Sequence, residues 1–151
     1  MDYMQEAIQE AYEGIRNKEG GPFGAVIVRD GTIIGRGHNR VLKKEDPTCH
    51  GEMEAIRDAC KKTGSHDLSG CQLYTTAAPC PMCLGGILWS NISQVYYGCT
   101  VEDSDEIGFR DERFYRFLKK ADETILSMKE SGREACLRLF QDYEDMASER
   151  Y

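Results

Sequence analysis

Two short motifs contain residues whose types and spacing suit a metal-assisted hydrolytic site. His50 and Glu52 lie two positions apart, and Cys80 and Cys83 belong to the segment PCPMC. One imidazole and two thiolates are good zinc ligands, and three protein ligands leave the fourth position open to water, as catalytic zinc requires. The sequence therefore predicts one Zn²⁺ per subunit, bound by His50, Cys80 and Cys83.

The chemistry of such a site also needs a carboxylate. Zinc lowers the pKa of bound water from about 15.7 towards about 7, which produces hydroxide at cellular pH. Attack on an amino-substituted, electron-poor aromatic carbon then needs one group to take the water proton, deliver it to a ring nitrogen and help ammonia leave. Glu52 is near the ligand His50 in sequence and is the predicted catalytic residue.

Each motif alone has a plainer explanation. A lone Cys-x-x-Cys can be a redox pair or half of a structural zinc site, and a lone His-x-Glu is mostly chance on a helix surface. In this order they match the His-x-Glu…Pro-Cys-x-x-Cys pattern of zinc deaminases. A ligand sensor or a structural zinc module is the alternative from another class. His38 and His66 have no metal-like partner nearby in sequence and are expected to be exposed or capping.

The elements that must position these residues alternate between helices and strands. Helical spacing of apolar residues covers 3–16, and AVIVRDGTIIGRG reads as a hairpin that turns at Asp30-Gly31. A helix follows DPT with Thr48 as its N-cap, then come a strand at 71–76, a Pro-led helix at PCPMC, a strand at QVYYG and a helix over 133–147. This order predicts an α/β layered domain whose sheet begins antiparallel and continues parallel.

Composition narrows the class of protein. A chain of 151 residues fits one domain, and no apolar run is long enough to span a bilayer. No secretory signal begins the chain, and seven cysteines is an odd count that disfavours a disulfide framework, so we expect a cytoplasmic protein. The formal charge of −7 disfavours nucleic acid as a partner and favours a small-molecule substrate.

Several longer segments carry a resemblance to a known family: GGPFGAVIV, GHN, DPTCHGEMEAIR, LYTTAAPCPMCLGGILW and VYYG. They resemble the cytidine deaminase-like superfamily, and IGFRDERFY with the terminal Tyr151 resembles its small bacterial guanine deaminases. The resemblance implies a three-layer α/β/α sandwich with a mixed five-stranded sheet, formed by a single domain of residues 1–151. It also implies a homodimer in which residues from about 118 to 151 form a helical segment available for exchange between subunits.

The same resemblance implies roles for residues that bind the substrate. It implies that Asn39 hydrogen-bonds a ring carbonyl, that Phe23 stacks on the base, and that Asp111 reaches the base edge. Tyr151 is expected to help close the pocket, which can be that of the neighbouring subunit. Gly51 is expected to let a ring edge approach the backbone N–H more closely than Ala would.

The substrate implied first is guanine, converted to xanthine and ammonia. Two departures favour cytosine or a related amino-heterocycle, because the usual pattern has Ala at position 51 and Glu at position 78, where this chain has Gly51 and Ala78. Fungal cytosine deaminases are similar in both respects. A tRNA adenosine deaminase would share the zinc residues, but the acidic chain makes a strand-binding face less favoured.

Overall fold

The computed structural model describes residues 1–147 and 149–151. Backbone contacts divide the chain into two compact units, Met1–Tyr115 and Arg116–Tyr151. Among the described residues, no helix has both the length and the apolar character needed to cross a membrane. Exchange of the C-terminal segment between subunits stays a prediction.

The first unit is built on a mixed sheet of four strands. They are β1 (Gly24–Arg29), β2 (Thr32–His38), β3 (Gln72–Ala77) and β4 (Gln94–Cys99), in the spatial order β2-β1-β3-β4. β1 is antiparallel to β2 and β3, and β3 is parallel to β4. The predicted hairpin is confirmed, with φ of 49° at Asp30 and 74° at Gly31, the positive values that a tight hairpin turn requires.

The expected number of five strands is wrong, because the described residues form four. After β4 the chain enters the helices α5 (Val101–Glu106) and α6 (Asp111–Lys120). Thr100 and Asp103 form a capping box that starts α5, and the apolar residues of α6 recur at helical rather than alternating spacing. The last helix, α7 (Arg133–Asp145), confirms the predicted C-terminal helix.

Helices cover both faces of the sheet. Ala7 and Ala11 of α1 (Tyr3–Arg16) are buried, and the backbone of this helix lies directly against Gly24 of β1. The opposite face carries Ile27 and Leu73, which share a core with α3 (Gly51–Thr63) and α4 (Pro81–Trp89). Because side chains alternate along a strand, the two sides of β1 serve the two helix layers, as the layered prediction expected.

Glycines in β2 allow α3 to pack directly against the backbone of the sheet. A Cβ on Gly35 would lie 2.6 Å from the carbonyl oxygen of Ala55, and one on Gly37 would lie 2.6 Å from the amide nitrogen of Ala55. The sequence prediction of Thr48 as the N-cap of α3 is wrong, because the cap is His50 and the hydroxyl of Thr48 donates to Asp46 instead. The close packing fixes the end of α3 that carries His50.

Candidate active site

The amino termini of two helices bring the predicted metal ligands together. His50 is the N-cap of α3 and Cys80 is the N-cap of α4, both with extended backbone angles. Pro81 opens α4 at a position where a missing N–H costs nothing, and Cys83 follows within the first turn. Because α3 and α4 pack against each other, the three side chains converge.

The separations between the three ligand atoms fit a zinc ion. His50 Nδ1 lies 3.5 Å from Cys80 Sγ and 3.6 Å from Cys83 Sγ, and all three atoms lie within 4.8 Å of one another. A tetrahedral ion with Zn–N and Zn–S bonds of about 2.1 and 2.3 Å would hold nitrogen and sulfur roughly 3.6 Å apart. The donor set and its spacing therefore suit zinc.

The two thiols are close enough to influence each other's protonation. The hydrogen bond with Cys83 lowers the pKa of Cys80 to about 4, while the same bond and burial raise the pKa of Cys83. The hydrogen bond with Cys80 also raises the pKa of His50. The site thus supplies one thiolate readily, and binding of a dication would be coupled to release of the remaining protons.

Glu52 is buried beside this group, with 5% of its surface exposed. Burial raises its pKa, and a hydrogen bond with Cys83 acts in the opposite direction. The hydroxyl of Thr75, on β3, donates to Glu52 Oε1 at 3.2 Å. Burial that raises the pKa of a carboxyl helps it to hold a proton as well as to release one, which is the property that general acid–base catalysis needs.

A cavity of about 550 Å³ opens in front of these groups, within the range typical of small-molecule sites. Five predicted site residues line it: Phe23, Asn39, His50, Glu52 and Cys80. A sixth, Asp111 at the start of α6, lines it too, and burial followed by the nearby Cys80 raises the pKa of its carboxyl. The cavity thus combines the metal group with residues predicted to bind a base.

The orientation of Asn39 follows from its hydrogen bonds. The side-chain Oδ1 of Asn39 accepts from the backbone N–H of Val41 at 3.0 Å, and the backbone N–H of Asn39 donates to the carbonyl of Phe23 at 2.9 Å. Because the side-chain oxygen is used by Val41, the amide can offer its NH₂ donor to a ligand. Phe23 in turn packs edge-to-face with Phe109, with ring centroids 4.8 Å apart.

Two predicted site residues of the first unit, Cys83 and Gly51, do not line the cavity. Cys83 is fully buried behind it, and Gly51 packs against the backbone of Phe23, where an added Cβ would lie 3.0 Å from the carbonyl oxygen. Tyr151 belongs to the second unit, and its side chain is 81% exposed. Substrate contacts by Gly51 and Tyr151 stay predictions.

Sequence reasoning missed several residues that shape the site. Thr75 gave one weak signal, a polar residue at a buried position of an alternating strand. Phe109 lies in the charged segment after β4 and Leu42 in the short helix α2 (Val41–Lys44), and both line the cavity. Neither has a spacing relation to the zinc motifs, so only the tertiary structure brings them there.

Comparison with known proteins now identifies the family. Residues 1–99 match the sequence profile described as the cytidine and deoxycytidylate deaminase zinc-binding region. The chain belongs to this deaminase family. This zinc deaminase is therefore a hydrolase acting on C–N bonds, and its His-Cys-Cys group is able to hold the metal ion of the family.

Individual relatives agree with this membership. The deaminase is 41% identical to the guanine deaminase of Bacillus subtilis (strain 168) over 149 residues, which cover 98% of this chain and 96% of that protein. The X-ray structure of guanine deaminase from Bacillus subtilis superimposes with a TM-score of 0.91 at 41% identity, covering 99% of this chain and 96% of that one. The fold is thus the cytidine deaminase-like α/β fold, with the four strands described above.

Similarity to tRNA-modifying enzymes covers less of the deaminase. The tRNA-specific adenosine deaminase of Aquifex aeolicus (strain VF5) is 40% identical over 95 residues, which are 63% of this chain and 62% of that protein. The similarity to the Bacillus guanine deaminase extends over almost the whole chain, including α6 and α7.

Proposed function

We propose that this deaminase removes the amino group of free guanine by hydrolysis, giving xanthine and ammonia. The observation that carries the proposal is a single cavity, lined by His50, Cys80 and Glu52 of the reaction centre and by Phe23, Asn39 and Asp111. Near full-length similarity to a guanine deaminase supports the choice of base. The acidic chain, with a formal charge of −7, supports a small substrate rather than tRNA.

In this proposal, zinc is held by His50, Cys80 and Cys83. When bound, it lowers the pKa of a water molecule towards about 7 and so supplies the nucleophile. The three ligand side chains are held in place before metal binds, because they lie at the ends of α3 and α4. Both helices are fixed by packing against the sheet. Such preorganisation favours binding of the metal in one geometry.

Glu52 moves the protons of the reaction. It takes a proton from the attacking water, delivers it to the ring nitrogen beside the reacting carbon, and then helps to protonate the departing amino group. The hydroxyl of Thr75 holds one carboxylate oxygen and so orients the group that lines the cavity. The raised pKa of Glu52 supports both halves of the task, since the group must both accept and donate a proton.

The remaining residues orient the base. The NH₂ group of Asn39 is suited to donate to a ring carbonyl, since its oxygen is held by the N–H of Val41. Phe23 offers an aromatic surface, and Asp111 offers a carboxylate to ring N–H groups. We extend the proposal to Gly51, as a residue that lets the ring come near the backbone, and to Tyr151, as a residue that closes the pocket.

Cytosine is the second candidate, and one observation favours it. Ala78 lines the cavity, so the wall there has a methyl group where a carboxylate could accept from exocyclic amino groups. With fewer acceptors in the wall, a purine that carries several N–H donors gains less binding energy relative to cytosine. The ratio of kcat/KM for guanine to that for cytosine separates the two candidates, and a preference for cytosine ends the guanine proposal.

The experiment that tests the mechanism is ammonia release from guanine, cytosine and adenine by zinc-loaded protein. Glu52→Gln is expected to keep zinc and lower kcat by about 100- to 10,000-fold, the usual contribution of a general acid–base group. Glu54→Gln is the matched control, because Glu54 is equally buried on α3 but pairs with Lys44 and Arg57. Unchanged turnover by Glu52→Gln would exclude the proposed role.

We also propose that the enzyme works as a homodimer that exchanges residues from about 118 to 151. The compact second unit, Arg116–Tyr151, and the exposed apolar side chains of Leu88 and Tyr97 are compatible with such an arrangement. Light scattering coupled to gel filtration measures the mass, and a monomer at micromolar concentration would contradict the proposal.

A further inference from the structure

A buried histidine lies behind the predicted base-binding wall, and the proposed reaction gives it no role. His38, at the end of β2, is 1% exposed, against the sequence expectation of an exposed or capping residue. Its Nδ1 lies 2.9 Å from Glu10 Oε2, and its Nε2 is hydrogen-bonded to Glu19 Oε2. Glu10 and Glu19 are themselves buried. We call these three side chains the histidine clasp.

Glu10, Glu13 and His38 are near enough to hold an ion, but the contacts of His38 favour a hydrogen-bonded group instead. Both ring nitrogens of His38 lie within hydrogen-bond distance of buried carboxylate oxygens, so an ion bound there would have to displace one of these bonds. Arg40 Nε lies 3.3 Å from His38 Nε2 and 3.4 Å from Glu19 Oε2. Arg40 thus places a further cation beside the carboxylate of Glu19.

Cations on neighbouring elements neutralise the two carboxylates. Arg36 donates to Glu10 at 3.2 Å, and Lys43 donates to Glu19 at 2.8 Å. The Lys43 bond, followed by that of His38, lowers the pKa of Glu19 to about 2. The histidine clasp is therefore a fully paired group that ties α1, β2 and α2 to Glu19.

Glu19 connects the histidine clasp to the wall of the cavity. Its backbone carbonyl accepts from the N–H groups of Leu42 and Lys43, both at 3.0 Å, and its own N–H donates to Gly14 at 2.9 Å. Gly20 follows it, and a Cβ on Gly20 would lie only 2.1 Å from Asn39 Oδ1. The backbone of Gly20 therefore lies beside the carboxamide of Asn39, with no room for a side chain between them.

We propose that His38 is a positioning residue for the substrate, acting through Glu19 and Gly20 on the carboxamide of Asn39. The inference rests on the proposed function in one respect, that Asn39 contacts the base. Of the two carboxylates, Glu19 carries the effect, because it adjoins Gly20 and holds α2. The bond to Glu10 ties His38 to α1, where Cβ of Glu10 lies near Gly24 of β1.

Two substitutions of His38 separate its hydrogen bond to Glu19 from its hydrogen bond to Glu10. In His38→Gln the side-chain amide stands where Nε2 was and keeps the bond to Glu19, whereas in His38→Asn it stands where Nδ1 was and keeps the bond to Glu10. Each variant loses one of two buried hydrogen bonds, so their Tm values should fall by similar amounts. We expect KM for guanine to rise about tenfold in His38→Asn and less than about threefold in His38→Gln, with kcat nearly unchanged in both.

A second set of variants keeps the test sharp if His38→Asn folds poorly. Glu19→Gln leaves His38 in place and weakens the hydrogen bond between His38 and residue 19. We expect KM to rise about two- to fivefold. Glu6→Gln is the control, because Glu6 binds Arg36 from α1, as Glu10 does, without contacting His38. It should leave KM unchanged.

A double-mutant cycle with Asn39 decides whether the effect passes through that residue. In an Asn39→Ala background, His38→Asn should change KM by less than about twofold, since the carboxamide it positions is gone. A tenfold effect in that background, or equal KM values for His38→Asn and His38→Gln, overturns the proposal. If the wild-type enzyme deaminates cytosine and not guanine, the proposed substrate is wrong, and the same KM ratios are measured on cytosine.

Discussion

Gly37→Ala tests whether the contact between α3 and β2 sets the position of the active site. A Cβ at Gly37 would lie 2.6 Å from the amide nitrogen of Ala55 and 2.6 Å from Cβ of Glu54. Ordinary contacts are about 3.5–4.0 Å, so α3 has to move by about 1 Å. Both obstacles are backbone or Cβ atoms, which no rotamer change can remove.

The cost follows from overpacking. Added methyl groups in a packed core cost about 1–3 kcal/mol, and the reduced freedom of the unfolded chain returns about 0.4–1 kcal/mol. A net loss of about 1–2 kcal/mol corresponds to a Tm lower by about 2–8 °C in a chain of this size. Since His50 and Glu52 lie at the end of α3, a 1 Å shift should lower kcat/KM by about 10- to 100-fold.

Calorimetry, zinc content and ammonia release measure these effects, and Gly85→Ala supplies the control. Gly85 lies in α4, the helix that carries Cys83, and a Cβ there meets no other atom within 4 Å. Alanine should therefore leave activity unchanged and raise stability slightly. If Gly37→Ala matched Gly85→Ala in both Tm and kcat/KM, the contact between helix and strand would not position the site.

Two further predictions concern protonation. The pKa of Glu19 is lowered to about 2 from an unfolded value near 4.5, so its stabilising effect is complete above pH 4.5 and is lost as pH falls towards 2. In urea unfolding, the stability difference between wild type and Glu19→Gln should shrink over that range, and a constant difference would contradict the assignment. In zinc-stripped protein at about pH 6, iodoacetamide should modify Cys80 before the exposed Cys99 and Cys136, because its pKa is lowered to about 4. Peptide mapping checks the order, and earlier modification of Cys99 would refute it.

The zinc group could be predicted because its information is local in sequence. His50 and Glu52 lie two apart, and Cys80 and Cys83 lie one helical turn apart, so each pair indicates its own geometry before the fold is known. The hairpin at Asp30 was equally local. Each of these predictions needs only a turn type or a helix end.

The parts that sequence could not supply depend on contacts between distant segments. His38 meets Glu10 from 28 positions away and Glu19 from 19, and Thr75 meets Glu52 from 23. No spacing rule connects such pairs, so His38 resembled an exposed residue. The prediction of a fifth strand was wrong for a different reason, because a capping box at Thr100 starts a helix directly after β4.

The two departures that bear on the substrate turn out to have different physical meanings. Gly51 faces the backbone of Phe23, where a methyl group would lie 3.0 Å from the carbonyl oxygen, so packing disfavours alanine there whichever ring is bound. Ala78 lines the cavity itself and changes what a bound ring meets. The argument for a pyrimidine therefore depends on Ala78 alone. Against it stand Asp111 in the same cavity and a likeness to guanine deaminase that extends through α7, and together they favour guanine.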